Sequence, residues 1–145
     1  MSVSHKRLDH FLNLRHQLVG TINEMVQLEL SSYDEEHKTI YFTSKVKKWM
    51  LNPGKMLHGG IASTLLDMAM GGCAYTFSDA QYVPTISMNV SYINAMHEDD
   101  DMNIEAKVLR IGRDVILTSS AIYHHDGTLC YQATASYAIK RKKVI

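Results

Sequence analysis

The chain has no surplus of charge: fifteen basic and fifteen acidic side chains give a formal net charge of zero. Its densest basic run, Lys140 to Lys143, is confined to the last residues. The broad cationic footprint of a nucleic-acid binder is therefore missing. Cysteine is nearly absent, with Cys73 and Cys130 the only two in 145 residues. Two cannot build a disulfide framework, and both lie in apolar segments, which predicts free buried thiols in a reducing compartment, the cytoplasm. No phosphate loop and no dinucleotide fingerprint occurs. Histidines and acids gather at His97-Glu98-Asp99-Asp100-Asp101 and at His124-His125-Asp126. Neither cluster has the ligand spacing of a closed metal site, so both read as solvated turns and no metal is expected. The opening residues MSVSHKRLDHFLNLRHQL contain neither a continuous apolar run nor a cleavage-like site, which argues against a secretory leader.

What is present is an ordinary globular balance, 46% hydrophobic and 21% charged, in a length that predicts one domain over residues 1–145. Residues 1–20 read as a helical segment, because Leu8, Phe11, Leu12, Leu14 and Leu18 fall largely on one helical face. Period-two alternation then predicts a strand over Met25 to Ser31, a turn at Tyr33 to His37, and a returning strand from Thr39 to Val46. A loop from Lys47 to Leu57 carries the turn signal Asn52-Pro53-Gly54. Further alternating runs are Thr85 to Ile93, Met102 to Ile111 with a phase slip near Leu109, Val115 to Tyr123 and Leu129 to Ile139. The last two are joined through the hairpin pair Asp126-Gly127. These last four strands read as a meander.

Between the hairpin and the meander lies HGGIASTLLDMAMGGCAYTF, His58 to Phe77. A helix this apolar is expected to be buried, so about six mostly antiparallel strands must curl round it in an α+β fold. Such a sheet leaves edges open, and the strand from Thr85 to Ile93 is a candidate for pairing with a second copy. The anomaly in the helix is Asp67, since a buried carboxylate needs hydrogen bonds, a counter-charge or a shifted pKa. No Ser, Thr, Asp or Asn caps the start, so the Gly59 and Gly60 amides are expected to be free for a ligand oxygen. Ser63 and Thr64 read as hydroxyls bonded to helix carbonyls, with Thr64 also within reach of Asp67 at i, i+3. A thiol triad of Cys73, His58 and Asp67 is excluded by spacing.

With Asn52-Pro53-Gly54, His58-Gly59-Gly60, Asp67 and the strand TISMNVSYINA in place, the sequence resembles the hotdog-fold thioesterases, specifically the phenylacetate-pathway type of acyl-CoA thioesterase. The resemblance covers nearly the whole chain after the first helix. It implies hydrolysis of acyl-CoA thioesters with no metal or organic cofactor. On this sequence it implies that Asp67 is the nucleophile or general base and that the Gly59 or Gly60 N–H is the oxyanion donor. Asn52 would lie near the thioester or the attacking water, Thr85 would hold that water or steady the carboxylate, and His58 would support the loop or touch the thioester. Asp67 stands where one branch of the relatives has Glu.

Helical rise bears on this arrangement independently, because it separates the Gly60 amide from the Asp67 backbone by roughly 10 Å along the axis. One carbonyl cannot serve both, which predicts sites shared between two subunits of a homodimer, or of a homotetramer built as a dimer of dimers. Arg113, with Arg110 and the tail from Lys140 to Lys143, is a candidate for the coenzyme A phosphates. Met68 and Met88, with Met56, Met70 and Tyr92, are candidates for an acyl pocket. The competing functions are a non-catalytic acyl-CoA binding or sensing protein and a hotdog acyl hydratase or dehydratase, whose paired acid and histidine motif is missing here.

Overall fold

The computed structural model describes residues 1–142. Six strands form one antiparallel sheet: β1 (Glu29–Asp34), β2 (Thr39–Lys45), β3 (Thr85–Tyr92), β4 (Asp101–Ile111), β5 (Val115–His124) and β6 (Leu129–Ala138). The helices are α1 (Val3–Gln17), a short α2 (Ile22–Met25) and the long α3 (Gly59–Thr76). The sheet order is β1-β2-β4-β5-β6-β3. The expected sheet wrapped round one long helix is what the chain forms.

Alternation along the strands sends Ile40 and Phe42 of β2, Ile104 of β4 and Ile116 of β5 against α3, each 1% exposed or less. From the helix, Leu65, Leu66, Ala69 and Met70 meet them at 0% exposure. Burial of each large aliphatic side chain contributes about 1.5–3 kcal/mol. The expected slip in β4 is present as a register shift between Val108 and Arg110. The tight β5–β6 turn uses Gly127 at φ +93°, a backbone conformation that glycine adopts without strain.

Helix α1 starts at Ser2, whose hydroxyl accepts the His5 N–H at 3.1 Å. It packs on α3 through Leu8, Phe11 and Leu12, and the Phe11 ring occupies the space that a side chain at Gly72 would need. In its N-terminal half the Arg7 guanidinium donates to the carbonyls of Tyr75 and Ala80, lashing α1 to the C-terminal end of α3. Leu18 follows the helix and is exposed. No helix among the described residues is long and apolar enough to cross a membrane.

Three expectations are corrected. The first strand begins at Glu29, not Met25, because residues 22–25 coil into α2 and Gln27 takes the left-handed conformation at φ +49°. Val26 and Leu28 are buried as the alternation implied, but from a connecting segment rather than a strand. Tyr33 and Asp34 belong to β1 and not to the turn, which falls on residues 35–38. Asp34 closes that turn by accepting the His37 N–H at 3.1 Å. Finally, only β4, β5 and β6 form a meander. β3 crosses to the far edge and pairs with β6. The connection from β3 to β4 makes this possible by running back across the loop before α3, where Met96 accepts the Leu57 N–H at 2.8 Å.

Candidate active site

The helix α3 is enclosed on one side only. Ser63, Thr64, Asp67, Met68 and Gly71 are half-buried and form a stripe that its own sheet covers only in part. Asp67 is therefore not the fully buried charge that the apolar sequence implied. One turn of helix lies against α1 and another face against the sheet, and the stripe between them reaches solvent.

The carboxylate is held from two strands. Thr85 Oγ1, at the start of β3, donates to Asp67 Oδ1 at 2.9 Å. Tyr137 Oη, on β6, donates to the same Oδ1 at 2.7 Å and lies 3.0 Å from the Asp67 backbone oxygen. The strand register puts Thr85 opposite Tyr137, so both donors come from one rung of the sheet. Tyr137 is 1% exposed. Burial, reinforced by the hydrogen bond to Asp67, pushes its phenol well above the ordinary range and keeps it a donor. No hydrogen bond among the described residues uses Oδ2.

At the head of the helix the expectation of an uncapped start fails. His58 is the N-cap, and its Nδ1 accepts the Gly60 N–H at 3.0 Å. An imidazole nitrogen two residues ahead supplies the acceptor that Ser or Asp would normally supply, and it requires the neutral ring to carry its proton on Nε2. Gly60 is thereby removed as a free donor. None of the hydrogen bonds among the described residues takes the Gly59 N–H, so of the pair it is Gly59 whose amide is left without a partner there. Tyr92 covers this end: its hydroxyl lies 2.7 Å from Ser63 Oγ and donates to the Gly59 carbonyl at 3.3 Å. A Cβ at Gly59 would sit 3.2 Å from the Tyr92 ring.

The preceding loop is organised by Asn52, whose Oδ1 accepts the Met56 N–H at 3.1 Å and whose backbone carbonyl accepts the Lys55 N–H at 2.9 Å. That leaves its side-chain amide N–H groups for another partner. The His58 N–H in turn donates to the Met50 carbonyl at 2.8 Å, fixing where the helix begins. Thr64 does not reach Asp67, because its hydroxyl donates to the Gly60 carbonyl at 2.9 Å. Ser63 bonds Tyr92 instead of a helix carbonyl.

The remaining candidates scatter. Met68 borders a cavity of about 100 Å³ against α1, with Phe11, Leu12 and Leu28. Met88 is half-buried against the core, and Met70 is wholly buried and simply packs. Arg113 is exposed in the β4–β5 turn. The pairing of Tyr137 with both Thr85 and Ile116 puts that turn at the same end of the sheet as Asp67's donors. Of the basic tail, Lys143 lies outside the described residues. Cys73 and Cys130 are buried free thiols, and burial pushes Cys73 up to about 12, so it is no nucleophile. The acidic and histidine clusters pair with each other at the turns, His124 Nε2 lying 3.4 Å from Asp100 Oδ1 and its Nδ1 3.2 Å from Asp126 Oδ1. Tyr137 is the residue that the motif pattern missed. Its signal was an inward tyrosine facing a helix with a single carboxylate, since a buried phenol seeks a partner.

The sequence pattern of the thioesterase superfamily matches residues 54–131. The chain belongs to the thioesterase superfamily. The matched segment holds Gly59, Asp67 and Thr85 and stops short of Tyr137. SSO2140 of Saccharolobus solfataricus, a protein named as an esterase, is 35% identical over 91 residues, which is 63% of this chain. The chain spans 64% of that relative's length. Among solved structures, the Escherichia coli PaaI protein from the phenylacetic acid degradation operon superposes with a TM-score of 0.81 at 15% identity, over 95% of this chain and 96% of its own. The smu.793 protein of Streptococcus mutans, solved with acetyl-CoA bound, gives a TM-score of 0.73 at 18% identity, over 81% of this chain and 92% of its own. At these identities the superpositions establish the hotdog fold.

Proposed function

We propose that this superfamily member hydrolyses acyl-CoA thioesters to the free acid and coenzyme A, as an enzyme of the phenylacetate-pathway type. The observation that carries the reading is the solvent-reached stripe of α3, with Asp67 anchored through one oxygen and an unused Gly59 N–H at the helix start. Thioester hydrolysis asks for little more. The carbonyl carbon is electrophilic and thiolate leaves readily, so an oxyanion donor plus a carboxylate suffices, the carboxylate attacking directly or activating water. Asn52 supplies an amide donor beside the thioester or the water, and His58 holds the helix start. The acetyl-CoA in the Streptococcus mutans structure is in keeping with a coenzyme A ester as the ligand. Arg113 is the first candidate for its phosphates and Met68 and Met88 for its acyl group, and two buried thiols suit the cytoplasm.

In this proposal the two ends of the stripe do not serve one substrate from one chain. β3 lies along the stripe, touching Asp67 through Thr85 at one end and Gly59 through Tyr92 at the other. It is also an open edge of the sheet. If two copies of β3 pair antiparallel about a two-fold axis, the Tyr92 end of each meets the Thr85 end of the other. Gly59, His58 and Asn52 of one subunit then face Asp67 and Thr85 of its partner. A homodimer is thus the smallest active unit, and a dimer of dimers is compatible with it.

The test is thiol release from a panel of acyl-CoA esters by wild type, Asp67→Asn and Asp67→Ala, with the active species sized in solution. Both variants are expected to lose at least about 10² in kcat while folding normally. Unchanged turnover in both would remove Asp67 from the chemistry, and a fully active monomer would remove the shared site. Absence of wild-type turnover on every ester, with retained binding, would favour an acyl-CoA binding protein.

A further inference from the structure

A carboxylate at the end of a short side chain has a broad, nearly two-fold torsion, and either oxygen can face the reacting group. Around Asp67 that degeneracy is lifted. Tyr137 Oη and Thr85 Oγ1 both donate to Oδ1, at 2.7 and 2.9 Å, from two different strands. The Tyr137 ring is itself locked: it is 1% exposed and passes beside Gly71, one turn beyond Asp67, where a Cβ would lie 3.4 Å from its Cε1. Oδ2 has no partner among the described residues and belongs to the half-buried stripe.

We propose that Tyr137 is a positioning residue for the hydrolysis, anchoring Oδ1 with Thr85 so that Oδ2 alone is the oxygen that attacks the thioester or takes the proton of water. This rests on the acyl-CoA hydrolysis reading above. The hydroxyl is suited to the task because it is never the reacting group: it is buried, stays protonated and can only hold the anion in place. Phenylalanine would fill the same space and leave the carboxylate free to turn about its torsion.

Steady-state kinetics on the acyl-CoA ester that wild type turns over fastest, together with thermal melts, test this. Tyr137→Phe is expected to lower kcat by about 10- to 100-fold, the scale of a misplaced catalytic group, with KM within about twofold of wild type. Thr85→Val, at the exposed end of β3, reads the same anchor from its other donor and is expected to act in the same direction. In an Asp67→Asn background Tyr137→Phe is expected to cost nothing further, because a group that works only through Asp67 has nothing left to position. An unchanged kcat in Tyr137→Phe, a loss confined to KM, or an equal further loss in the Asp67→Asn background would each overturn the proposal. Should Tyr137→Phe not fold, an unchanged kcat in Thr85→Val would overturn it. The two readings fail separately. Absence of wild-type turnover on every ester sinks the hydrolysis assignment, whereas an inactive Asp67→Asn beside a wild-type-like Tyr137→Phe sinks only the positioning role.

Discussion

The two sides of α3 are built in opposite ways. On the enclosed side Ala62, Leu65, Leu66, Ala69, Met70 and Cys73 repeat at intervals of three and four and are 0% exposed. On the open side Ser63, Thr64, Asp67 and Gly71 repeat at the same intervals and are half-buried, each polar group held by a named partner except the free oxygen of Asp67. One helix therefore does two jobs a fraction of a turn apart. The enclosed side stabilises the fold through area removed from water, and the open side can carry a charge because water still reaches it. The arrangement also explains why Asp67 tolerates a helix otherwise so apolar.

That division can be broken by mutation. Leu66→Ala empties part of the enclosed side and is expected to cost about 2–5 kcal/mol of stability, measured by denaturant unfolding, with turnover per folded molecule near wild type. A large loss of specific activity at normal stability would mean the two sides are coupled. His58 sits at the head of the open stripe yet holds the helix start, so it belongs to both. His58→Ala is expected to cost about 1 kcal/mol through the lost cap, and His58→Asn, which restores an acceptor, less than that. Equal melting temperatures for all three proteins would show that the Nδ1 contact is not a cap in solution.

The smallest effect comes from turns remote from the helix and serves as the control. Asp126 is lowered to about 2, first by the Thr128 N–H and then by Thr128 and His124 side-chain contacts, and Asp100 is lowered by the His97 N–H and by His124. A folded-state pKa below the ordinary value of about 3.9 contributes stability that is fully present above about pH 4 and is lost as pH falls toward 2. The melting temperature of wild type should exceed that of Asp126→Asn slightly at pH 7, and the gap should narrow below about pH 4 and close only below about pH 2. A gap that widens on acidification would show that the sign is wrong.

Periodicity made much of this legible. The alternation in residues 85–93, 102–111, 115–123 and 129–139 located four strands nearly to the residue, because β4, β5 and β6 each have one dry and one wet face and β3 keeps the same alternation of residue type with Met88 and Val90 half-buried. Where both faces are not so divided, the reading slipped. Val26 and Leu28 mimic a strand by being buried two apart, yet Gln27 between them is left-handed and the pair belongs to a connection. Strand order was similarly out of reach. Nothing in the residues between Tyr92 and Asp101 states that they recross the molecule and leave β3 beside β6.

The sequence by itself determined the elements, the single long helix and the charge that stands out within it, since these follow from local spacing and from the cost of burying a carboxylate. Tertiary structure alone decided three things: that His58 rather than a hydroxyl caps the helix, that Asp67 lies on an open stripe, and that Tyr137, seventy residues away, holds one of its oxygens. Each depends on where groups distant in the chain meet. Hydrogen bonds form between neighbours in space, and only the folded sheet brings one rung of β3 and β6 to that side of the helix.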